Sequence, residues 1–150
     1  SFLYVSGIDA FSFQEEAVTA LKAFVARGGT ILFDASLGLP YFTGHVRREI
    51  RRIVPFGTPR SLPPAHPLWS SLHRIDRVTY TAVLRRERPD LDAPYLEGIE
   101  VDGRLAVIVS PYDLGGGWQG DDHPLSRGYS PADAIRVLKP TLVDAATAKV

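Results

Sequence analysis

The sequence predicts a three-layer α/β domain with a mainly parallel sheet and one antiparallel hairpin. Three observations carry that expectation. Phe2 to Ser6 and Thr30 to Phe33 are apolar runs on either side of a helical pattern, the arrangement of a right-handed βαβ unit. Asp102-Gly103 sits between two further apolar runs and supplies the positive φ angles of a two-residue hairpin turn. The second arm of that hairpin, Leu105 to Val109, is unbroken in its apolarity, as in a strand covered on both faces. Phe2 to Ser6, Thr30 to Phe33 and Leu105 to Val109 are therefore expected as the central strands. With 150 residues, 45% of them hydrophobic, the chain can sustain one core, and a single domain spanning residues 1–150 is expected.

Taken in order, the first helix is marked by Ser12 and Glu15, which have the spacing of a capping box. Phe13, Ala17, Leu21, Phe24 and Val25 recur at helical spacing, and Gly28-Gly29 closes the helix. Asp34 stands just past the second strand, and Ala35 to Gly44 reads as a loop containing Gly38 and Pro40. From His45 to Val54 the pattern is helical again. Val46, Ile50, Ile53 and Val54 share one face, Arg47, Arg48, Arg51 and Arg52 the opposite one, and Pro55 stops the helix. Four more prolines between Phe56 and Pro67 exclude long regular structure, although Arg60 to Leu62 suits a short edge strand. A helical turn is predicted over Leu68 to Leu72, and β-branched and aromatic residues predict a strand from Val78 to Leu84. After the hairpin come Ser110, Asp113 and the loop Gly115-Gly116-Gly117-Trp118. Ser130-Pro131 then starts a terminal helix that Pro140 is expected to kink or split.

Net charge is zero, but the charges are segregated. His45 to Arg88 holds ten arginines and three acids, whereas Pro89 to Asp122 holds eight acids and Arg104 alone. Such blocks either pair with each other or form two oppositely charged surfaces. The neutral total, and the lack of aromatics interleaved with the arginines, disfavour nucleic acid as a partner. The arginine face could meet phosphate, anionic lipid or an acidic protein, or simply be solvated. The absence of cysteine excludes disulfides and a thiol nucleophile. No apolar run approaches the ~18 residues of a membrane span. The sequence starts inside a strand without methionine, so a piece of a longer chain is expected, in which any targeting or anchoring segment upstream would lie outside these residues.

The candidate site lies where Thr30 to Phe33 and Leu105 to Val109 end, the edge at which open α/β sheets bind ligands. Asp34 and Asp113 there could bind a metal or exchange a proton, or each could cap backbone N–H groups. Ser110 is the best-placed hydroxyl, but no G-x-S-x-G elbow occurs. The histidines lack H-E-x-x-H spacing, and Asp121-Asp122-His123 reads as a solvated loop. Gly115 to Gly117 lacks the lysine and hydroxyl of a P-loop, and Trp118 is either a stacking surface for a ligand or the loop's own apolar plug. Arg104, remote from that edge, is expected to tie the hairpin through a carboxylate or a main-chain carbonyl.

GGTILFDAS, HVRREIRRIVP, the HPLW turn and LEGIEVDGRLAVIVSPYDLGGGW, in this order, resemble the bacterial domain of unknown function 4159 family. That family is grouped with class I glutamine amidotransferase-like domains, so the resemblance implies a flavodoxin-like sandwich. It implies recurring positions at Asp34, Arg47, Arg48, Glu49, His66, Gly103, Arg104, Ser110, Asp113, Gly115, Gly117 and Trp118. Ala35 stands where related sequences tend to carry a second acid. Working amidotransferases use a cysteine, which is absent here, and no reaction is established for the family. The resemblance further implies the bacterial cell envelope or periplasm, with the cytoplasm as the alternative. Two functional expectations follow. The first is a non-catalytic domain that binds a protein partner or small ligand through Asp34, Ser110, Asp113, Gly115, Gly117 and Trp118, with no cofactor or resident metal. The second is a hydrolase using Asp34 and Asp113, with Ser110 as a further candidate and a metal assisting.

Overall fold

The structure is a computed structural model that describes residues 1–120 and 123–147, with side chains described through residue 143. It is an α/β fold with a five-stranded mixed, open sheet in the order β1-β2-β5-β4-β3, whose strands are β1 (Phe2–Gly7), β2 (Thr30–Ala35), β3 (Arg60–Ser61), β4 (Glu97–Val101) and β5 (Arg104–Ser110). The helices are α1 (Glu15–Ala26), α2 (Pro40–Ile53), α3 (Ala82–Glu87), α4 (Gly115–Trp118) and α5 (Pro131–Thr147), with 3₁₀ turns at Ser36–Gly38 and Pro67–Ser70. β1, β2 and β5 run parallel, while β4 is antiparallel to both β5 and β3. The sheet is thus only partly parallel, because the hairpin contributes an entire interior strand and not merely an arm.

The βαβ unit and the hairpin form as their sequences dictate. Gly28 takes φ 96° to end α1, and Asp102 and Gly103 take φ 52° and 77°, the paired positive angles of a type I′ turn. β2 and β5 are buried along their length, as unbroken apolar runs require, apart from partly covered Arg104. β1 departs from expectation, since it is an edge strand and not a central one. Its burial alternates from Leu3 onward, with Tyr4 and Ser6 facing outward and Leu3 and Val5 inward. That period of two belongs to a strand well covered on one face and only partly covered on the other, where α5 lies near Phe2 and Tyr4.

One core packs Ile31, Phe33, Val107 and Val109 beneath Val25 of α1 and Phe42, Val46, Ile50 and Ile53 of α2. The other packs Leu32 and Ile108 with Leu68 and Trp69 of the second 3₁₀ turn, Tyr80, Tyr129, Leu114, and Val137 and Leu138 of α5. Consecutive residues of β2 therefore feed opposite cores.

Several local expectations are overturned, most of them by long-range partners. Ser12 does not cap α1, which starts at Glu15 after Gln14 with no side-chain cap. The hydroxyl of Ser12 and the N–H of Phe13 instead donate to Glu49 of α2 at 3.5 and 2.8 Å. Glu49 is only 3% exposed, and a buried carboxylate outcompetes a solvated helix end for donors. The loop expected over Ala35 to Gly44 is mostly structured, because Pro40 occupies the first turn of α2 and preorganises it. The strand expected over Val78 to Leu84 is absent. Thr79 N–H donates to the Asp133 carboxylate at 2.6 Å, Thr81 N–H to Gly128 C=O at 2.8 Å, and the chain then coils into α3. Gly115 to Trp118 is not a loop but α4. α5 runs through Pro140 as one helical span. Asp121 and Asp122 lie outside the described residues.

Three of the ten arginines pair across the two blocks. Arg47 meets Glu97 at 2.7 Å, Arg88 meets Asp90 at 3.3 Å, and Arg77 meets Asp92, while His66 shares a hydrogen bond with Glu100 at 2.9 Å. Only Glu97 among these acids is buried, so that pair is the one protected from solvent screening.

Candidate functional site

The parallel register sets Ser6, Asp34 and Ser110 side by side at the carboxyl ends of β1, β2 and β5. Asp34 falls within β2, not past it, and is fully buried. A carboxylate there needs donors, and the chain after β5 supplies them. Leu114 N–H donates to Asp34 Oδ1 at 3.0 Å, Gly115 N–H to Oδ2 at 2.7 Å, and the Tyr4 hydroxyl also donates to Oδ2. Asp113 repeats the arrangement one step along. Its Oδ1 accepts from Gly116 N–H at 2.9 Å, and its Oδ2 accepts from Leu37 N–H and the Ser126 hydroxyl, both at 3.1 Å. The two aspartates thus seat the amino end of α4, satisfying N–H groups that a helix start leaves unpaired. Of the alternatives open at the level of sequence, capping is the one the geometry shows.

The glycines are needed for close approach. A Cβ on Gly115 would lie 2.4 Å from the Tyr4 hydroxyl, and one on Gly117 would lie 2.6 Å from Ala134 Cβ on α5. Ser110 is fully buried, and its hydroxyl donates to Tyr112 C=O at 2.6 Å, so the structure holds it as a turn fastener.

Burial pushes the Asp34 carboxyl up to about 6. The Tyr4 hydroxyl and the Leu114 and Gly115 N–H groups pull it back, and the Asp113 charge adds to the rise. Burial, and then the Asp34 charge, drive the Tyr4 phenol well above its ordinary value. All four carboxylate oxygens already accept hydrogen bonds, and among the described residues no group of three His, Cys, Asp or Glu side chains could hold a metal.

Trp118 does not plug the loop. It is 44% exposed and lines a cavity of about 270 Å³ with Phe2, Tyr4, Gly115, Gln119, Leu138 and Leu142. This cavity adjoins the aspartate seat, sharing Tyr4 and Gly115 with it. The model of a domain of unknown function, DUF4159, matches residues 1–138. The chain belongs to that family. No curated protein matches it. The matched DUF4159 span includes both aspartates, α4 and most of the cavity wall.

The structure brings Asp34, Ser110, Asp113, Gly115 and Gly117 together and puts Trp118 at their rim. His66 and Arg104 lie elsewhere, His66 on Glu100, and Arg104 on the carbonyls of Val25 and Gly29. Sequence reasoning missed Tyr4, Leu37 and Ser126. Tyr4 alone had a signal, as the large polar-tipped residue at an outward position of an alternating strand. The contacts of Leu37 and Ser126 depend on where the segment before α5 folds back, which no local pattern encodes.

Proposed function

We propose that this DUF4159 chain is a non-catalytic, amidotransferase-like domain that binds a partner or small ligand in the bacterial cell envelope, at the sheet edge marked by Trp118. One observation carries the reading. Asp34 and Asp113, the two groups able to do acid–base work at this edge, are consumed in holding α4, while the surface beside them is a half-open aromatic cavity. A flavodoxin-like, three-layer arrangement is part of the proposal, supported by the βαβ unit and by a helix-covered core on each face of the sheet. The family resemblance supports the envelope setting.

The experiment exploits the two tryptophans. Trp69 is fully buried and Trp118 half exposed, so a ligand in the cavity must change the emission of Trp118 while Trp69 stays silent. Titration with small neutral aromatic compounds is expected to shift the emission of the native protein and not that of Trp118→Phe. An equal shift in both proteins would place binding elsewhere and defeat the reading.

The hydrolase alternative is favoured by one fact, the carboxyl of Asp34 held near 6 next to Tyr4. It requires Asp113 to be free for a metal or water. Melting with and without Mg²⁺, Mn²⁺ and Zn²⁺ separates the two readings, because an ion bound only by the folded state raises the midpoint. No rise is expected. A rise that Asp113→Ala abolishes would transfer the assignment to the hydrolase.

A further inference from the structure

The outer surface of α2 has no role in the site just described. Its inward positions, Phe42, Val46, Glu49, Ile50 and Ile53, are buried, whereas Tyr41, Gly44, Arg47, Arg48 and Arg51 are exposed along a helix of 14 residues, about 21 Å long. A Cβ on Gly44 would meet nothing within 4 Å, so no neighbouring element covers this surface. Aromatics stand at both ends, Tyr41 at 70% exposure and Phe56, just past the helix, wholly in solvent.

Part of the charge on this face is unpaired. Arg47 is taken by Glu97, and Arg52 by Glu49 and Glu15, so the acids bordering the ridge are already used. Among the described residues Arg48 hydrogen-bonds only His45, with Glu49 acting on it at longer range, and neither Arg51 nor Arg60 beyond the helix forms an ion pair. Elsewhere Arg74, Arg77, Arg88, Arg127 and Arg136 each meet a carboxylate, whereas exposed Arg27, Arg85 and Arg86 form no ion pair among the described residues but have no exposed aromatic ring at either side on their own helix. The unpaired guanidiniums on α2 therefore lie in sequence between two exposed aromatic residues, Tyr41 and Phe56. A row of exposed guanidiniums along one helix face is complementary to a flat anionic surface. Exposed Tyr and Phe beside such a row are the side chains that partition into a lipid headgroup layer.

We propose that the outer face of α2 docks on an anionic phospholipid surface, with Arg48 and Arg51 meeting headgroup phosphates and Tyr41 and Phe56 entering the interface. The proposal does not rest on ligand binding beside Trp118, and either can fail alone. Sedimentation of the whole chain with vesicles of one part phosphatidylglycerol to two parts phosphatidylcholine is compared with pure phosphatidylcholine vesicles.

Binding to the anionic vesicles alone is expected, weakening as ionic strength rises from about 0.01 to about 0.15 M and the screening length falls from about 30 to about 8 Å. Arg48→Gln with Arg51→Gln should weaken it roughly thirtyfold, about fivefold for each charge removed near the surface. Phe56→Ser should weaken it at every salt concentration without changing the salt dependence. All these positions are on the surface, and unchanged circular dichroism and melting will certify the fold. Equal binding to both vesicle types, or binding indifferent to the arginine substitutions, would overturn the proposal. So would capture by polyglutamate with none by vesicles, which would reassign the ridge to an acidic polypeptide.

Discussion

Asp34 makes the stability of this domain depend on pH in a direction opposite to that of most paired acids. Its carboxyl rises from the ordinary 3.8 to about 6, chiefly through burial. The folded state therefore keeps a proton that the unfolded chain has already released. Stability from this group is complete below about pH 4, declines between about pH 4 and pH 6, and stays at its lower level above. Each tenfold change in proton affinity corresponds to 1.36 kcal/mol, so the decline amounts to about 3 kcal/mol. Glu49 is depressed: burial works against it, but the Phe13 N–H and Arg52 prevail, so it contributes the opposite slope at lower pH. A difference measurement removes that background. Urea unfolding of the native protein and of Asp34→Asn, from pH 4 to pH 7.5, isolates Asp34, because asparagine does not titrate. Native stability relative to the variant should fall by about 3 kcal/mol across the window. Should Asp34→Asn fail to fold, Tyr4→Phe serves instead. Removing a donor to the charged form raises the carboxyl further, so the decline should extend above pH 6. A difference flat with pH, or rising, would refute the reasoning about burial.

Three further perturbations test other joints. Arg104→Lys should cost about 1 to 3 kcal/mol in denaturation midpoint, because one ammonium cannot reproduce the bonds of the guanidinium to Gly29 C=O at 2.9 Å and to Val25 C=O, while titrations followed at Trp118 stay unchanged. Gly38→Ala should destabilise by at least about 2 kcal/mol in thermal melts, since Gly38 has φ 65° and a Cβ there would lie 1.9 Å from Arg127 C=O; a neutral effect would dispose of that close approach. Glu49→Ala should cost about 3 kcal/mol and speed amide exchange at Phe13, which loses its acceptor. Unaltered exchange there would show that Glu49 does not organise the start of α1.

What the sequence disclosed was whatever neighbouring residues decide together. Asp102-Gly103 needs no distant partner to turn a hairpin, and Gly28-Gly29 needs none to end α1. That Asp34 and Ser110 stand side by side was not legible, because the sequence places both at strand ends without saying that β2 and β5 are neighbours. Errors arose where a distant group claimed a local one. Ser12 has the right spacing to cap α1, but Glu49 lies 37 residues away in sequence and takes its hydroxyl. Three successive glycines read as a pliable loop because glycine is a poor helix former. Two aspartates, one of them in β2, pin their N–H groups into α4. The edge position of β1 was legible in its alternation, which its overall apolarity obscured.

The parallel pairing of β2 with β5 has a kinetic consequence. Thr30, whose hydroxyl donates to Leu105 C=O at 2.9 Å, is 75 residues from its partner, whereas β1 with β2 and β4 with β5 are each joined by a single connection. The βαβ unit and the hairpin can form early, each closing a short loop, but uniting them confines the whole intervening chain. That union should be the slow step of folding. Truncations such as Ile31→Val and Val107→Ala, at the β2–β5 seam, should slow refolding in proportion to their cost in stability. Refolding rates unmoved by either would show that the seam closes only after the barrier has been crossed.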